Sequence, residues 1–175
     1  MDSILNLIGN TPIVELENIE KKYNLKSKIY AKLELTNPTG SVKDRTALNL
    51  VQDAIKNNLL QKDNILIEAT SGNMGISLSF VGKRLGYEVI IVMPDNMSIE
   101  RRKLVELYGA KLILTDGKLG MQGAIDKVNE ETLAKFDEKV FIKEVGELKV
   151  IDEAAKKEYL KQVQHSLDTI LYNEV

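Results

Sequence analysis

The residues best suited to chemistry begin with a turn-forming run at positions 37–45, Asn-Pro-Thr-Gly-Ser-Val-Lys-Asp-Arg, called the lysine turn below. The Asn-Pro and Thr-Gly pairs do not continue an extended strand, so we expect the chain to bend there and a helix to begin near Ser41. Lys43 then lies in the first helical turn, where the helix dipole disfavours the ammonium form and favours the nucleophilic amine. An ordinary solvated first turn is the plainer interpretation and stays open at this point.

A second candidate stretch is the 70–75 loop, Thr70-Ser71-Gly72-Asn73-Met74-Gly75, which follows a short apolar strand. Its glycines let the backbone approach a ligand closely, and Thr70 and Ser71 offer hydroxyl groups. The N–H groups at the start of the following helix form an anion site. Ligands of open parallel sheets bind beyond the carboxyl ends of the strands, which is where this loop is expected. A simple tight turn is the alternative.

The lysine turn and the 70–75 loop are more informative together than apart. If the helix starts at Lys43 and at Asn73 lie side by side, an activated amine and an anion site share one pocket. That combination is what Schiff-base chemistry on an amino acid requires.

The elements that must position these residues alternate between strand and helix from position 65 to 142. Nearly continuous apolar runs, such as that at 88–93, indicate strands buried on both faces. The predicted strands are 65–69, 88–93, 111–115 and 139–143, and the predicted helices are 41–57, 76–85, 99–108 and 121–135. This pattern predicts an α/β fold, with three αβα layers around a mostly parallel sheet.

The two ends of the chain depart from this alternation. Near the amino terminus, 13–16 is predicted as a short strand, and alternating apolar and polar residues over 28–35 predict a strand with one solvated face. Apolar residues recur at helical spacing from Val150 to Leu171 and predict a long amphipathic helix whose apolar face needs a partner. His165 falls off that apolar stripe and is interpreted as a surface residue.

Composition argues against several classes of function. The 175 residues carry a net charge of −2 without a basic cluster, so neither nucleic acid nor an anionic membrane is an expected partner. Cysteine is absent and His165 is the single histidine, so disulfide, thiolate and metal chemistry are not expected. The first residues lack the pattern of a signal peptide and no apolar run has the length of a membrane span, so a cytoplasmic location is expected.

Five motifs follow one another along the chain. They are Gly-Asn-Thr-Pro at 9–12, the lysine turn at 37–45, Thr-Ser-Gly-Asn at 70–73, Met-Pro-Asp-Asn-Met-Ser-Ile-Glu-Arg-Arg at 93–102 and Gly-Met-Gln-Gly-Ala-Ile at 120–125. In this order they resemble the amino-terminal half of the cysteine synthase (O-acetylserine sulfhydrylase) family, over residues 4–130. That family belongs, with cystathionine β-synthase, to the fold-type II pyridoxal-phosphate enzymes. The resemblance implies pyridoxal 5′-phosphate as cofactor and β-replacement as reaction, in which sulfide replaces the β leaving group of an O-acetylserine-like amino acid to give L-cysteine.

The resemblance also implies a role for each matched residue. Lys43 would hold the cofactor covalently and move the α-proton of the substrate, first as base and then as acid. Asn73 would hydrogen-bond the phenolic oxygen of the cofactor, and Thr70, Ser71 and Gly72 would bind the substrate carboxylate. The cofactor is the electron sink, which leaves orientation and electrostatics to the protein.

Two features depart from the family pattern. Met74 stands in the substrate-binding loop where the family commonly has threonine, which removes a hydroxyl and leaves substrate preference open. The family's carboxyl-terminal half supplies a loop for the cofactor phosphate and a serine facing the pyridine nitrogen, and neither motif is found after residue 130. Two hypotheses follow. One is an enzyme completed by a homo-oligomer or a complementing polypeptide, and the other is a catalytically incomplete relative that acts as a binding or regulatory module.

The resemblance divides the chain into three segments. Residues 1–36 carry strands that join the large domain in the family, and residues 37–145 correspond to the βα small domain. Residues 146–175 have no counterpart and are expected to form the amphipathic helix, as an oligomerisation or docking element. The strands of the first segment need a partner, because an exposed apolar sheet edge invites aggregation.

Overall fold

The computed structural model describes residues 3–134, 140–144 and 147–150. Its strands are, in chain order, β1 (Ile13–Glu15), β2 (Tyr30–Lys32), β3 (Ile65–Ala69), β4 (Glu88–Pro94), β5 (Lys111–Thr115), β6 (Val140–Glu144) and β7 (Glu147–Val150). Its α-helices are α1 (Glu17–Lys22), α2 (Lys43–Lys56), α3 (Asn73–Arg84), α4 (Ile99–Leu107) and α5 (Gly120–Ala134). The predicted alternation from residue 65 onwards is confirmed, whereas α1 was not predicted.

The main sheet has five strands in the order β5, β4, β3, β6, β7. The pairs β3–β4, β4–β5 and β3–β6 are parallel, and β7 runs antiparallel to β6. The carboxyl ends of the parallel strands therefore lie along one edge of the sheet, and the loops that follow them meet there. The prediction of a mostly parallel sheet is confirmed.

Apolar side chains fill both faces of this sheet. Ile90, Ile91, Val92 and Met93 in β4 are all 0% exposed. Ile91 and Met93 belong to an apolar cluster with residues of α2, α3 and α4, whereas Ile90 and Val92 belong to a second cluster with residues of α5. Because alternate side chains of a strand point to opposite faces, helices cover the sheet on both sides and the predicted αβα layers are confirmed.

The strands β1 and β2 form a separate, two-stranded antiparallel sheet. The strand predicted over 28–35 was wrong at its carboxyl end, because the chain enters a 3-10 turn at Glu34–Thr36. The side-chain amide of Asn37 favours this turn by donating to the backbone carbonyl of Glu34 at 2.8 Å and to its carboxylate at 2.7 Å. Local polar contacts thus override the alternating pattern.

Helix α3 begins at Asn73, earlier than the predicted start at Ile76. The N–H of Gly75 donates to the carbonyl of Gly72 at 3.1 Å, so the 70–75 loop already contains the first helical turn. This turn packs closely on its surroundings, since a Cβ on Gly75 would lie 2.6 Å from Cγ2 of Thr70 and 3.1 Å from Cγ2 of Ile91. The sequence Gly-Asn-Met-Gly therefore starts a helix where a longer loop was expected.

The segment after α5 is described in part. The strand predicted over 139–143 is present as β6. Residues 147–150, at the start of the 146–175 segment, form β7 and pair with β6, so the helix predicted from Val150 does not begin at that residue. The remaining residues of that predicted helix, 151–171 including His165, lie outside the described residues.

The described ranges lack two kinds of feature. None of the helices there combines the length and the apolar character needed to cross a membrane. The same part of the chain has no group of three or more His, Cys, Asp or Glu placed to hold a metal ion.

Candidate functional site

Helix α2 begins at Lys43, within the lysine turn and two residues after the predicted start at Ser41, so Lys43 lies in its first turn as predicted. Within the turn, the N–H of Gly40 donates to the carbonyl of Asn37 at 2.8 Å, and Gly40 has a φ of +78°, a conformation that favours glycine. The hydroxyl of Ser41 accepts the backbone N–H of Lys43 at 3.1 Å and so satisfies one donor at the helix start. The Lys43 residue is exposed, which leaves its amine accessible to a ligand.

Asp44 follows Lys43 but is fully buried, with 0% of its surface exposed. Its carboxylate accepts hydrogen bonds from the backbone N–H of Thr39 at 2.7 Å, from the hydroxyl of Thr39, and from the hydroxyl of Ser77 at 2.6 Å. A buried carboxylate is costly unless such donors surround it. Asp44 therefore ties together the lysine turn, the start of α2 and the body of α3.

The 70–75 loop leaves the carboxyl end of β3 and enters α3. Thr70 is buried, its N–H donates to the carbonyl of Val92 at 3.0 Å, and its hydroxyl accepts the N–H of Gly72 at 3.4 Å. Ser71 and Asn73 are exposed. The first N–H groups of a helix have no acceptor within the helix. Hydroxyl, amide and backbone N–H groups are thus concentrated in this loop.

The starts of α2 and α3 lie side by side. Ser77 lies one helical turn after Asn73, and Asp44 lies next to Lys43, so the bond between Asp44 and Ser77 holds the two helix starts together. Apolar residues of both helices pack in one cluster. Lys43 and Asn73 therefore stand at the starts of two neighbouring helices, and the shared pocket stays a prediction.

Met74 differs from its exposed neighbours in the loop. It is 8% exposed, and its side chain belongs to the apolar cluster on the α2 and α3 face of the sheet. Its backbone N–H lies in the first turn of α3, among the donors that have no intrahelical acceptor. Met74 thus offers the loop surface a backbone donor, while its side chain packs inside.

Two residues were not predicted, one that bonds to the lysine turn and one that bonds to the 70–75 loop. Ser77 is 0% exposed on α3, and the available signal was a serine within an otherwise apolar helical face. Arg101, in α4, donates from Nη1 to the carbonyl oxygen of Ser71 at 3.2 Å. Arg101 was quoted within a motif, but nothing in that motif indicates its partner.

The Gly-Asn-Thr-Pro motif at 9–12 braces the lysine turn. The N–H of Gly9 donates to the side-chain oxygen of Asn37 at 2.8 Å. Arg45, in the first turn of α2, donates from Nε to Glu34 at 3.1 Å and from Nη2 to the hydroxyl of Thr11 at 3.0 Å. Two motifs far apart in the sequence are therefore one structural unit.

Burial, hydrogen bonds and charge shift the pKa values of Glu34 and Tyr108. Burial acts to raise the pKa of Glu34, but hydrogen bonds from Arg45 and two neutral donors prevail, so its pKa lies below the usual glutamate value. Burial, and secondly the negative charge of Asp44, raise the pKa of Tyr108. At neutral pH the Glu34 carboxylate is therefore charged and paired with Arg45, while the Tyr108 hydroxyl keeps its proton.

The sequence profile of the pyridoxal-phosphate dependent enzyme family matches residues 4–171. This chain belongs to that family. Among curated relatives, it is 52% identical to a cysteine synthase of Flavobacterium sp. over 126 residues, which are 72% of this chain and 40% of the relative. It is 46% identical to cysteine synthase B of Campylobacter jejuni over 129 residues, 74% of this chain and 41% of the relative. The chain thus spans about 40% of the length of the curated relatives it matches.

Solved structures give the same family assignment. The cysteine synthase of Entamoeba histolytica matches with a TM-score of 0.73 and 45% identity, over 77% of this chain and 40% of that one. An O-ureido-L-serine synthase matches with a TM-score of 0.72 and 42% identity, over 80% and 43% of the two chains. An O-acetylserine dependent cystathionine beta-synthase of Helicobacter pylori matches with a TM-score of 0.71 and 35% identity, over 77% and 44%. The fold is that of the fold-type II pyridoxal-phosphate enzymes.

The described residues fit the cofactor of this family. Pyridoxal phosphate carries an aldehyde, which reacts with a primary amine, and the exposed Lys43 supplies one at the start of a helix. The cofactor also carries a phenolic oxygen, for which the exposed amide of Asn73 is a suitable donor. The Asp44–Ser77 bond places both groups at neighbouring helix starts.

Proposed function

We propose that this chain supplies the lysine and the substrate-carboxylate site of a cysteine synthase-type β-replacement enzyme. The observation that supports the proposal is the Asp44–Ser77 bond, which joins the start of α2, where Lys43 stands, to α3 just after the 70–75 loop, in a chain of the pyridoxal-phosphate family. The matched cysteine synthases and their structural neighbours support this class of reaction.

The 70–75 loop is proposed to bind the carboxylate of the amino-acid substrate. The hydroxyl groups of Thr70 and Ser71 and the backbone N–H of Met74 are the available donors, and Gly72, with nothing within 4 Å of its Cβ position, leaves room for the carboxylate to approach. A negative charge at this place is also favoured by the dipole of α3. Asn73 is assigned to the phenolic oxygen of the cofactor, because its side chain is exposed in the same turn.

Lys43 is proposed to have two tasks. Its amine anchors pyridoxal phosphate, which when bound withdraws electrons from the substrate α carbon and makes the α-proton acidic. The same amine would take the α-proton of the substrate while the β substituent leaves with its bonding electrons. After hydrosulfide adds at the β carbon, Lys43 returns a proton to the α carbon. An amine suits both transfers because its neutral form accepts a proton and the resulting ammonium can return it to the same carbon atom.

The preferred substrate is proposed to be an L-amino acid with an oxygen-linked β leaving group, of the O-acetylserine type. The structural neighbours include an O-ureido-L-serine synthase and an O-acetylserine dependent cystathionine beta-synthase. Both names contain a serine whose side-chain oxygen carries a substituent. The inward side chain of Met74 leaves the carboxylate site to backbone donors and the hydroxyls of Thr70 and Ser71.

Assembly with a second copy of this chain is part of the proposal, in preference to a complementing polypeptide. Its support is the exposure of large apolar side chains in the amino-terminal segment, with Leu7 66%, Ile13 60% and Tyr30 60% exposed. Light scattering in the presence of cofactor measures the assembly state. A monomer that binds the cofactor fully through Lys43 would overturn this part.

Absorbance titration with pyridoxal 5′-phosphate tests the central claim. We expect the chain to develop the visible band of a lysine-bound cofactor, and to shift it on addition of O-acetyl-L-serine. Lys43→Ala removes the band, whereas Lys56→Ala, at the exposed far end of α2, retains it. Absence of the band at saturating cofactor, or its persistence in Lys43→Ala, overturns the proposal and favours the binding-module alternative.

A further inference from the structure

The buried carboxylate of Asp44 has no place in the reaction proposed above. We propose that Asp44 is a positioning residue, which holds the Lys43 amine at the correct distance and angle to the 70–75 loop through its bond with Ser77. The inference rests on the proposed function, because it concerns the same lysine.

The contacts of Asp44 join the two halves of the site. Its carboxylate accepts from both the N–H and the hydroxyl of Thr39, which fixes the lysine turn, and from Ser77, which fixes α3. The hydroxyl groups of Thr39 and Ser77 also approach each other to 3.3 Å, which closes a triangle of polar groups. Asp44 and Ser77 are both 0% exposed, so water does not compete for these bonds.

Apolar packing alone does not set the relative position of α2 and α3. Small apolar residues such as Ala47 and Val51 line the contact, and hydrophobic burial is not directional. Hydrogen bonds to a carboxylate are directional and strong, so they select one alignment of the two helices. Displacement of a reacting group by about 1 Å is enough to reduce a rate by about a hundredfold.

A purely structural role makes a different prediction. If Asp44 only stabilised the fold, any other substitution that lowered the melting temperature by the same amount would weaken cofactor binding by the same factor. Val51→Ala is the matched control, because Val51 is 0% exposed in the same helix and has no part in the polar triangle. Ser77→Ala is the mild test variant, and Asp44→Asn keeps the shape of the side chain while removing its charge.

The experiment compares cofactor binding with thermal stability in these variants and in the double variant Asp44→Asn/Ser77→Ala. We expect Ser77→Ala and Asp44→Asn to weaken the binding of pyridoxal 5′-phosphate through Lys43 by about tenfold or more. We expect the effects of the two changes to be less than additive in the double variant, because both alter the same bond. Val51→Ala is expected to melt earlier while its cofactor affinity stays within about twofold of wild type.

A readout without cofactor accompanies the titration. Reductive methylation of the Lys43 amine by formaldehyde and a borohydride reagent measures exposure of that amine, and we expect its rate to stay within about twofold in Ser77→Ala. If the methylation rate changed by as large a factor as the cofactor affinity, the start of α2 would have unfolded, and the positioning role would be overturned.

The remaining outcomes separate this inference from the proposed function. A Lys43-dependent band in wild type, with Ser77→Ala and Asp44→Asn no weaker than Val51→Ala, overturns the positioning role alone. A wild-type chain without any Lys43-dependent band overturns the proposed function and this inference together.

Discussion

The side chains of Arg45 and Glu34 form an ion pair in which Nε lies 3.1 Å from Oε2, and both residues also bond to the hydroxyl of Thr11. Arg45 belongs to the first turn of α2, and Thr11 belongs to the Gly-Asn-Thr-Pro motif. The pair therefore fastens the amino-terminal segment to the helix that starts with Lys43. Stability and site geometry are linked at this place.

The first prediction concerns the pH dependence of this link. Hydrogen bonds from Arg45 and its neighbours hold the pKa of Glu34 below its ordinary value of 4.5, despite the opposing effect of burial. A lowered folded-state pKa adds stability that is complete above pH 4.5 and is lost as the pH falls through the lowered value. The stability difference between wild type and Glu34→Gln should therefore shrink between neutral pH and about pH 3.

Urea unfolding at a series of pH values measures this difference. Asn49→Ala, at an exposed residue of α2 whose side chain does not titrate, is the control and should differ from wild type by a constant amount. A Glu34→Gln difference that is equally constant across the series would contradict the proposed role of the ion pair.

The second prediction concerns the tight start of α3. Gly75→Ala places a methyl group 2.6 Å from Cγ2 of Thr70, so we expect a loss of about 1–3 kcal/mol from overpacking. Gly72→Ala is the control, because nothing lies within 4 Å of its Cβ position and its φ of −155° suits any residue. We expect that control to stay within about 0.5 kcal/mol of wild type. Equal unfolding free energies for both variants would contradict the expected overpacking at Gly75.

The elements of the main sheet were predictable because their signals are local. Strand 111–115 was predicted with the bounds that β5 has, and 65–69 with those of β3, since continuous apolar runs end at polar or glycine residues. The shortened strand β2 was not predictable from alternation, because the side chain of Asn37 pulls the following residues into a 3-10 turn. The side chain of one residue changed the outcome there.

The candidate site was predictable in its parts and not in its connection. The lysine turn and the 70–75 loop each carry turn residues, which indicate a helix start by themselves. The bond that joins them connects Asp44 with Ser77, 33 residues apart, and neither residue shows its partner in the sequence. Contacts of this kind depend on how the helices pack against the sheet, which residue spacing does not specify.

The third prediction concerns Met74, whose side chain packs inside. Met74→Thr removes apolar contacts and buries a hydroxyl, so we expect a loss of about 2–4 kcal/mol. Met74→Leu conserves volume and should cost less than about 1.5 kcal/mol. Denaturant unfolding of both variants measures the difference. Equal stability of the two variants would mean that the Met74 side chain lies at the loop surface, where it would contact the substrate directly.

The last prediction concerns the tether between α4 and the 70–75 loop. Arg101 is exposed and donates to the carbonyl of Ser71 at 3.2 Å, so its loss should cost the loop only about 0.5–1 kcal/mol. The N–H of Gly75, which donates to the carbonyl of Gly72, reports on opening of this turn. In Arg101→Ala, hydrogen exchange at Gly75 should be about two- to fivefold faster, whereas Lys103→Ala, an exposed change on the same helix, should leave it unchanged. Because the hydrogen bond of Arg101 acts on the loop and not on the core, hydrogen exchange at Ile91 in β4 should stay the same in both variants. Faster exchange at Ile91 would indicate global destabilisation and would contradict the prediction.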